Sequence, residues 1–378
     1  MTFKGLEMSS RRDFLKTSLR GLGGLGVLSL GASCSTFDEY IFDKRQFSDE
    51  QVVIIGGGIT GLYLAHKLRQ IKTGYRIFEG SSYLGGRIRS NDGLDYGASL
   101  FSHSDATLKK LIKEFNLPTT SVSSTNFYFP GGAEQIVTAL KNRVSGLMPY
   151  RNIRMNWKLQ EIRKANDGFE MVFAAPTGRR TVFAKRVALT LPPSQWARVL
   201  GLLQLPEMAW AKAWLLTINP ISILKAHYAV PNSTEILFSK KNKVEYTDGK
   251  NQFNVLVKNL RNNLTHLEFE IFTKQIFDKE SLQTESEIGF EIENISTLIN
   301  SKTKLGLSSK KLQSDSFFNW ADVDLIQSAY FLNPEPIPNA ARDESSSLQV
   351  LGDSTAILKA NTVEGALLEA ERVSSIFV

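Results

Sequence analysis

The hydrophobic pattern of the chain changes its period near residue 52. An apolar run, VVII, ends in glycines, and the following segment, ITGLYLAHKL, places apolar side chains three and four positions apart. The run predicts a buried strand, and the spacing predicts an amphipathic helix. Gly56, Gly58 and Gly61 match the pattern G-x-G-x-x-G between them. The pattern is typical of a dinucleotide-binding βα turn, because glycines permit the turn, the approach of a pyrophosphate and close helix packing.

A second apolar run, YRIF, ends at an acidic residue that fits the same site. Glu79 follows this run at the distance from Gly61 where a carboxylate can accept hydrogen bonds from both ribose hydroxyls of a dinucleotide. A 2′-phosphate at that place would meet a like charge. The two runs together therefore predict a site for NAD or FAD rather than NADP.

The middle of the chain changes to a period of two. Three segments, LLTINPISILKAHYAV, FNVLVKNL and LTHLEFEIF, alternate apolar with polar side chains and predict an antiparallel sheet. A later segment, EIGFEIENISTLINSK, has helical spacing instead. The mixture predicts an α+β region between the two ends of the chain.

Two further motifs distinguish FAD from NAD. Gly85, Gly86 and Arg87 form a GGR motif after Glu79, and the C-terminal segment VLGDSTAILKANTVEGALLEAERVSSIF carries Gly-Asp and then VEGA before a helical pattern. With these motifs the chain resembles the flavin-containing amine oxidase superfamily. The resemblance implies an α/β fold, in which a Rossmann-like FAD-binding domain is interleaved with an α+β substrate domain of the amine oxidase type. The GGR motif alone would also fit a surface turn with a solvated arginine.

The resemblance also assigns contacts with FAD. Arg87 would lie along the pyrophosphate, and the backbone at Leu159 would face the adenine. The C-terminal segment would approach the ribityl chain or the pyrophosphate and would direct a helix N-terminus at the flavin ring, through Gly352, Asp353, Val363, Glu364, Gly365 and Ala366. The only cysteine, Cys34, lies far from that segment in sequence. Because many amine oxidases attach flavin through a cysteine near this segment, the resemblance implies that FAD is bound here without a covalent bond.

Because the matching motifs are scattered along the chain, the two domains are expected to alternate in sequence. The FAD-binding domain is assigned residues 51–101, 126–197 and 345–378, and the substrate domain residues 102–125 and 198–344. In the former, the GG before QIVTAL fits the start of a helix, and NIRMNWKLQEIRK and FEMVFAAPTGRRTVFAKRVALTLPP fit strands around the adenine. The substrate domain is expected to be reduced in size compared with the substrate domain of the amine oxidases.

Lys225 is the first candidate for chemistry, because it lies at the centre of the apolar run ISILKAHYAV. In the family that the chain resembles, a lysine in such a context holds a water beside the reactive flavin nitrogen and assists reoxidation by oxygen. Burial is expected to lower the pKa of Lys225. The competing interpretation is that Lys225 is simply one of the 45 basic side chains of the protein.

Three other residues match positions near the flavin in the family. Trp320 and Tyr330 match aromatic residues near the ring, although ordinary core packing would also explain them. Thr362 takes the position before VEGA, from which amine oxidases often contribute one ring of an aromatic cage around the amine. An altered cage changes the substrate before it abolishes hydride transfer, because that step depends mainly on orientation.

Residues 1–34 are excluded from the fold as a targeting segment. Ser10 to Lys16 match the twin-arginine export pattern, and the mildly apolar stretch from Gly21 to Ala32 is too short to span a bilayer. Cys34 then stands where a bacterial lipoprotein signal places its lipidated cysteine. Residues 35–50 are predicted to form a charged tether. The expected product is periplasmic or a lipoprotein on the membrane surface, exported by the twin-arginine translocase, and a soluble product cleaved near Ala32 is the alternative.

Composition and motifs bound the remaining functions. The formal net charge is +7, and the lysine-rich stretches lack interleaved aromatic residues, so nucleic-acid binding is not expected. The 4 histidines have no metal-ligand spacing, and no G-x-S-x-G, P-loop or zinc pattern occurs. The sequence predicts an FAD-dependent oxidoreductase that oxidises an amine or related small molecule, with reoxidation by oxygen or another acceptor. A non-catalytic, exported FAD-binding protein and a desaturase or non-redox flavoprotein on the same fold stay open as alternatives.

Overall fold

The structure of the protein is a computed structural model. It describes residues 52–145, 152–231, 243–247, 252–260, 264–273, 297, 317–319, 330–332 and 336–377. The predicted signal, Cys34 and the predicted tether lie outside the described residues. The described segments belong to one compact unit, Asp49–Val378. The residue limits of the two domains stay a prediction.

Helices and strands alternate in the first part of the chain, strands dominate its middle, and a helix ends it. The described α-helices are α1 (Ile59–Gln70), α2 (Ala106–Phe115), α3 (Glu134–Ser145), α4 (Pro193–Trp196), α5 (Ala211–Leu215) and α6 (Val363–Ile376). The described strands are β1 (Val52–Ile55), β2 (Tyr75–Phe78), β3 (Ser90–Asn91), β4 (Leu94–Asp95), β5 (Phe101–Ser102), β6 (Thr120–Ser121), β7 (Asn126–Tyr128), β8 (Ile153–Arg154), β9 (Lys158–Ala165), β10 (Gly168–Ala175), β11 (Gly178–Ala184), β12 (Arg186–Leu189), β13 (Asn219–Pro231), β14 (Lys243–Thr247), β15 (Gln252–Leu260), β16 (Leu264–Thr273), β17 (Phe317–Asn319), β18 (Tyr330–Leu332) and β19 (Leu348–Val350).

A parallel sheet carries both ends of the described chain. Its strand order is β19-β12-β1-β2-β8, and each neighbouring pair is parallel. The central strand β1 is fully buried, which explains its continuous run of Val and Ile, since a buried parallel strand has no solvent face. The predicted strands VVII and YRIF and the predicted helix after the glycine turn are confirmed. The first and last strands of the predicted cofactor domain thus belong to one sheet.

Helices cover this sheet and complete its core. α1 packs against α6 and α3, and α2 also contacts α6. The core between them contains Leu62, Leu68, Leu367 and Val373, none of which is exposed. Complete burial of each such side chain contributes about 2 kcal/mol to the free energy of unfolding. The apolar side chains that recur along α1 therefore face this helix layer and the sheet below it.

An antiparallel meander of β9, β10 and β11 lies in sequence between β8 and β12 of the parallel sheet. Phe173 of β10 stacks on Phe78 of β2 with ring centroids 4.6 Å apart, and its ring lies 5.8 Å from that of Trp157. These contacts join the meander to the carboxyl end of β2. The strands predicted in NIRMNWKLQEIRK and FEMVFAAPTGRRTVFAKRVALTLPP are confirmed. The helix predicted after the double glycine is confirmed as α3.

The middle of the chain forms an antiparallel sheet of strand order β14-β15-β16-β13-β17, and β18 pairs with the start of β13. The predicted segments FNVLVKNL and LTHLEFEIF are strands, as expected. LLTINPISILKAHYAV is a strand only from Asn219 onward, because Leu215 ends α5 and a turn follows it. The register places Lys225 opposite Glu270 and His227 opposite Glu268. Because side chains two apart on a strand share a face, these four belong to one face of the β13–β16 pair. The predicted helix EIGFEIENISTLINSK lies outside the described residues except for Thr297, which has helical backbone.

Candidate functional site

The glycine turn connects β1 to α1 and leaves open space at the N-terminus of the helix. Gly56 has φ +110°, a conformation that L side chains rarely adopt, and a Cβ there would collide with Thr190 Oγ1. Gly61 packs against the carbonyl oxygen of Gly56, so a side chain would separate α1 from the turn. A Cβ on Gly58, by contrast, would meet no atom within 4 Å. The helix N-terminus, with its partial positive charge, therefore opens onto space that an anion could occupy.

Glu79 lies at the carboxyl end of β2, beside this turn. Its Oε2 accepts a hydrogen bond from the backbone N–H of Gly57 at 2.6 Å, and its Oε1 accepts one from Ser81 N–H at 2.7 Å. The carboxylate is therefore fixed at the edge of the sheet where the first two strands end. Each oxygen keeps a further lone pair for a hydroxyl donor. The ribose contact predicted for Glu79 requires this placement.

The GGR motif packs directly on the glycine turn. Gly85 donates its N–H to the carbonyl oxygen of Gly57 at 2.9 Å, and a Cβ on Gly86 would lie 3.3 Å from Gly58 Cα. Arg87 follows, and its guanidinium forms an ion pair with Asp353. The two side chains are 21% and 12% exposed, so the pair is partly shielded from water. The predicted pyrophosphate contact Arg87 thus adjoins both the turn and the C-terminal segment.

The C-terminal segment arrives at this site through β19. Gly352 follows the strand, and a Cβ there would meet no atom within 4 Å. Asp353 begins a short 3-10 turn, and its carbonyl oxygen accepts a hydrogen bond from Asn361 N–H at 3.0 Å. The loop between them thereby folds back before α6 begins. The structure brings Gly352 and Asp353 together with the glycine turn and the GGR motif, as the resemblance implied.

The N-terminus of α6 is built from the VEGA motif. Gly365 lies against the carbonyl oxygen of Lys359, where a Cβ would collide, and Ala366 is buried. Val363 is half-buried at the first position of the helix. Thr362 is the N-cap, since its hydroxyl accepts the N–H of Gly365 at 3.1 Å and donates to Lys359 O at 2.6 Å. The Thr362 hydroxyl is therefore engaged in holding the helix.

Glu364 has a second structural role that sequence reasoning missed. Its side chain is buried, and its carboxylate oxygens accept the N–H groups of Thr107 and Leu108 at 2.9 and 2.8 Å. These two groups belong to the first turn of α2, so Glu364 caps a helix far away in sequence. An acid in the first turn of α6 was visible, but its distant partner was not.

Leu159 lies near the predicted ribose residue. It is the second residue of β9, is buried, and pairs with Phe173 of β10. Just before it, Trp157 donates its N–H to the carbonyl oxygen of Glu79 at 2.8 Å. The adenine contact predicted for Leu159 therefore belongs to the same edge of the sheet as Glu79.

Lys225 is buried in β13 and surrounded by acceptors. Its Nζ lies 2.7 Å from Glu268 Oε1, 2.9 Å from Glu270 Oε1 and 3.1 Å from Ser99 Oγ. Burial acts to lower the pKa of Lys225, but attraction to Glu268 and Glu270 outweighs it, and the pKa lies above its ordinary value. The expectation of a lowered pKa is therefore wrong, because it considered burial without the two carboxylates.

Lys225, His227, Glu268 and Glu270 form what we call the charged quartet, of which only Lys225 was predicted. His227 is buried and packs edge-to-face on Tyr96, with ring centroids 5.3 Å apart. Glu268 is buried as well, whereas 28% of the Glu270 side chain is exposed. Period-two alternation in LEFEIF would have placed both acids on one face, but only the strand register places them beside Lys225.

The charged quartet meets the segment that follows the GGR motif. Tyr96 N–H donates to the carbonyl oxygen of Arg89 at 2.9 Å, and Ala98 N–H donates to that of Arg87 at 3.3 Å. Ser99, the next residue, contacts Lys225. The candidate cofactor residues and the candidate chemical residue therefore adjoin one another through a single stretch of backbone.

The remaining predicted aromatic positions are only partly described. Tyr330 is the first residue of β18 and pairs with Ile221 of β13. Trp320 lies outside the described residues.

Within the described part of the chain, no cluster of three His, Cys, Asp or Glu side chains could hold a metal ion. In that same part, no helix has both the length and the apolar character that crossing a membrane requires.

One family model matches the first part of the described chain. Residues 54–115 match the family model of the NAD(P)-binding Rossmann-like domain. No curated protein matches the sequence.

Solved amine oxidases have a similar structure. Cyclohexylamine oxidase from Brevibacterium oxydans has a TM-score of 0.66 at 13% identity, over 87% of this chain and 99% of that one. Putrescine oxidase bound to putrescine has a TM-score of 0.60 at 13% identity, over 86% of this chain and 98% of that one. A double mutant of putrescine oxidase, redesigned in its cofactor binding, has a TM-score of 0.63 at 13% identity, over 86% and 99%. The chain therefore contains an NAD(P)-binding Rossmann-like domain and has the fold of these amine oxidases.

Proposed function

We propose that the protein is an FAD-dependent oxidoreductase of the amine oxidase type, which removes hydride from an amine or a related small organic molecule. One observation carries the proposal: the glycine turn, the GGR motif and the Gly-Asp segment meet at one edge of the parallel sheet, where Arg87 pairs with Asp353. Open space at Gly58 and Gly352 fits a dinucleotide that approaches the backbone closely. The amine oxidase fold supports both the cofactor and the reaction class.

The residues at this edge would divide the contacts with FAD. Glu79 would accept hydrogen bonds from the ribose, and the N-terminus of α1 together with Arg87 would face the pyrophosphate. Leu159 would border the adenine. The flavin half would lie toward the C-terminal segment, at Gly352, Asp353, Val363, Gly365 and Ala366. Bound there, FAD would supply an acceptor for a hydride, which carries two electrons and one proton.

The protein would contribute orientation rather than acid–base chemistry to hydride transfer. The β13–β16 pair brings a buried, charged face against Tyr96 and Ser99, close to the backbone that pairs with Arg87. A substrate held between this sheet and the cofactor edge would be kept from bulk water and in one orientation. The substrate domain would thus select the substrate, while the parallel sheet would hold the cofactor.

The visible absorption spectrum of the protein that begins at residue 35 tests this proposal. Flavin bands that pass into the supernatant after acid precipitation would establish non-covalent FAD, and bleaching by an added amine would establish oxidation. The variant Gly58→Val, which fills the open space at the helix N-terminus, should lose the bands. A colourless wild-type protein that takes up no added FAD would overturn the cofactor and the enzyme class together.

Export is a separate proposal, and it is supported only by the N-terminal sequence. The pair Arg11 and Arg12, the apolar stretch and Cys34 fit twin-arginine export followed by lipidation. The double substitution of both arginines by lysine should keep the full chain in the cytoplasm. Cys34→Ser should abolish incorporation of labelled palmitate, and unchanged labelling would refute lipidation at this residue.

A further inference from the structure

We infer that Asp95 is a positioning residue for FAD. It fixes the segment after the GGR motif to the start of α3, so that Arg87 is already in place for the pyrophosphate before the cofactor binds. The inference rests on the proposed function, in which Arg87 would face the pyrophosphate. Asp95 belongs to β4 and is completely buried. The sequence motifs did not single out this residue.

A tight hairpin places Asp95 beside Ser90. β3 and β4 pair antiparallel, and their register sets Ser90 opposite Asp95. Between the strands, Asp92 and Gly93 both have positive φ, as in the type I′ turn that favours the sequence Asp-Gly. The Ser90 hydroxyl donates to Asp95 Oδ1 at 2.6 Å. The turn sequence therefore fixes the register that brings the carboxylate to this hydroxyl.

The carboxylate also holds the start of α3. Asp95 Oδ1 accepts the N–H of Ala133, the residue before the helix, at 2.7 Å. Ser90 Oγ accepts the N–H of Glu134 at 3.1 Å, and the Glu134 carboxylate accepts the N–H of Ser90 at 3.0 Å. This exchange is the reciprocal pattern of a capping box, formed here by two residues 44 positions apart. Three backbone N–H groups therefore link the hairpin to the helix.

The linked hairpin and helix both contact the GGR motif. On the hairpin side, the carbonyl oxygen of Arg87 accepts the N–H of Ala98, three residues after Asp95, at 3.3 Å. On the helix side, Gly85 packs so closely on α3 that an added Cβ would lie 3.0 Å from Val137. Separation of the hairpin from α3 would therefore displace the motif from the glycine turn on which it packs.

Preorganisation connects these contacts to the affinity for FAD. Removal of the Asp95 carboxylate leaves a buried N–H group without its acceptor, which favours separation of the hairpin from α3. Molecules with a separated hairpin would have to be reordered before Arg87 could meet the pyrophosphate. The apparent dissociation constant rises as the fraction of binding-competent molecules falls. Asp95 would thus act on FAD through Arg87, without contacting the cofactor.

The test is a double-mutant cycle in the dissociation constant for FAD. Flavin fluorescence is titrated with the apoprotein of the wild type, Asp95→Ala, Arg87→Gln and the double variant. We expect Asp95→Ala to bind FAD about tenfold more weakly than the wild type. In the Arg87→Gln background, the same substitution should change the dissociation constant by less than about threefold, because the contact that Asp95 prepares is absent. Equal losses in both backgrounds would refute positioning through Arg87.

A second variant keeps the test decisive if Asp95→Ala does not fold. Ser90→Ala removes the acceptor of the Glu134 N–H group, which lies less deeply, so FAD should bind about threefold more weakly, again only when Arg87 is present. The control Tyr75→Phe removes a buried hydrogen bond at the other end of α3, where the hydroxyl donates to the carbonyl oxygen of Val144 at 2.8 Å.

The control separates positioning from general stability. Tyr75→Phe should lower the free energy of unfolding in urea, but it should change the dissociation constant for FAD by less than about twofold. A loss of affinity in Tyr75→Phe as large as in Asp95→Ala would show that affinity follows overall stability, and the inference would be wrong.

Failure of this inference is distinguishable from failure of the proposed function. A wild type that binds no FAD would contradict the proposed function. A wild type that binds FAD, with unchanged dissociation constants in Asp95→Ala and Ser90→Ala, would contradict only the positioning role. A loss of affinity that depends on the presence of Arg87 would support both.

Discussion

At Lys225, burial and pairing act in opposite directions on one side chain. An amine at this depth without a partner would have a lowered pKa. Two carboxylates from the neighbouring strand raise the pKa instead, so that the side chain stays charged. The sequence showed a lysine within an apolar run, from which burial follows. It did not show the partners that decide the direction of the shift.

Glu79 offers the sharpest test of the cofactor site at the residue scale. Glu79→Ala removes the carboxylate that would hold the ribose and that now accepts the N–H groups of Gly57 and Ser81. We expect FAD to bind at least about tenfold more weakly, which corresponds to about 1.4 kcal/mol. Fluorescence titration of the apoprotein with FAD measures the change. The matched control Glu170→Ala should bind FAD like the wild type, and unaltered affinity of Glu79→Ala would argue against the ribose contact.

His66 predicts how stability depends on pH. It is buried in α1 with its Nε2 3.3 Å from Glu114 Oε2, and burial, only partly opposed by Glu114, lowers its pKa below 6.5. As the pH falls through 6.5, the unfolded chain takes up a proton before the folded one does. The free energy of unfolding should therefore decrease as the pH is lowered below about 6.5.

Urea unfolding at several pH values between 8 and 5 tests this prediction. The variant His66→Gln has no titrating group at this position, so its stability should decline less over the same interval. His103→Gln, at a less buried histidine, should decline like the wild type. Parallel curves for His66→Gln and the wild type would show that the acid sensitivity arises elsewhere.

At the scale of elements, the N-terminus of α6 holds two helices at once. Thr362 caps α6 itself, and Glu364 reaches across to cap α2. The second contact is buried, so its loss leaves two N–H groups without acceptors in the protein interior. The VEGA motif therefore has a structural role in addition to any contact with FAD.

The two caps should differ in their energetic weight. Glu364→Ala should lower the free energy of unfolding by about 2–3 kcal/mol, because two buried donors are left unsatisfied. Thr362→Ala should cost only about 1 kcal/mol, as for an ordinary exposed N-cap. Urea unfolding of the apoprotein measures both. A smaller loss for Glu364→Ala than for Thr362→Ala would contradict the bridging role of Glu364.

At the scale of the whole molecule, the parallel sheet requires both ends of the described chain. β1 and β19 flank β12, and the ion pair of Arg87 with Asp353 joins the segments that follow them. A cofactor site assembled in this way requires segments from both ends of the described chain to come together. Stability of the sheet and integrity of the site should therefore be coupled.

A double-mutant cycle on Arg87 and Asp353 measures this coupling. With Arg87→Gln and Asp353→Asn, we expect an interaction energy of about 1–3 kcal/mol in urea unfolding of the apoprotein, since both side chains are partly buried. The exposed pair Lys185–Asp167 serves as control and should couple by less than about 1 kcal/mol. Additive effects at Arg87 and Asp353 would show that this ion pair does not couple the two segments energetically.

The sequence by itself determined the elements whose cause is local. The Val and Ile run, the glycine turn, the α1 spacing and the alternating strands depend on sterics and burial among near neighbours in the chain, and all were predicted. The resemblance then led to the fold and brought Gly56, Glu79, Arg87 and Asp353 to one edge of a sheet. The residue limits of the domains and the contacts of these side chains with FAD stay predictions.

Only the tertiary structure decided which distant residues meet. The three partners of Lys225, the capping of α2 by Glu364 and the ion pair of Arg87 with Asp353 each join separate segments of the chain. Such contacts follow from helix packing and from strand register, and in a strand a shift of one residue turns every side chain to the other face. The local sequence pattern does not indicate which distant residues come into contact, because the packing of the whole molecule decides it.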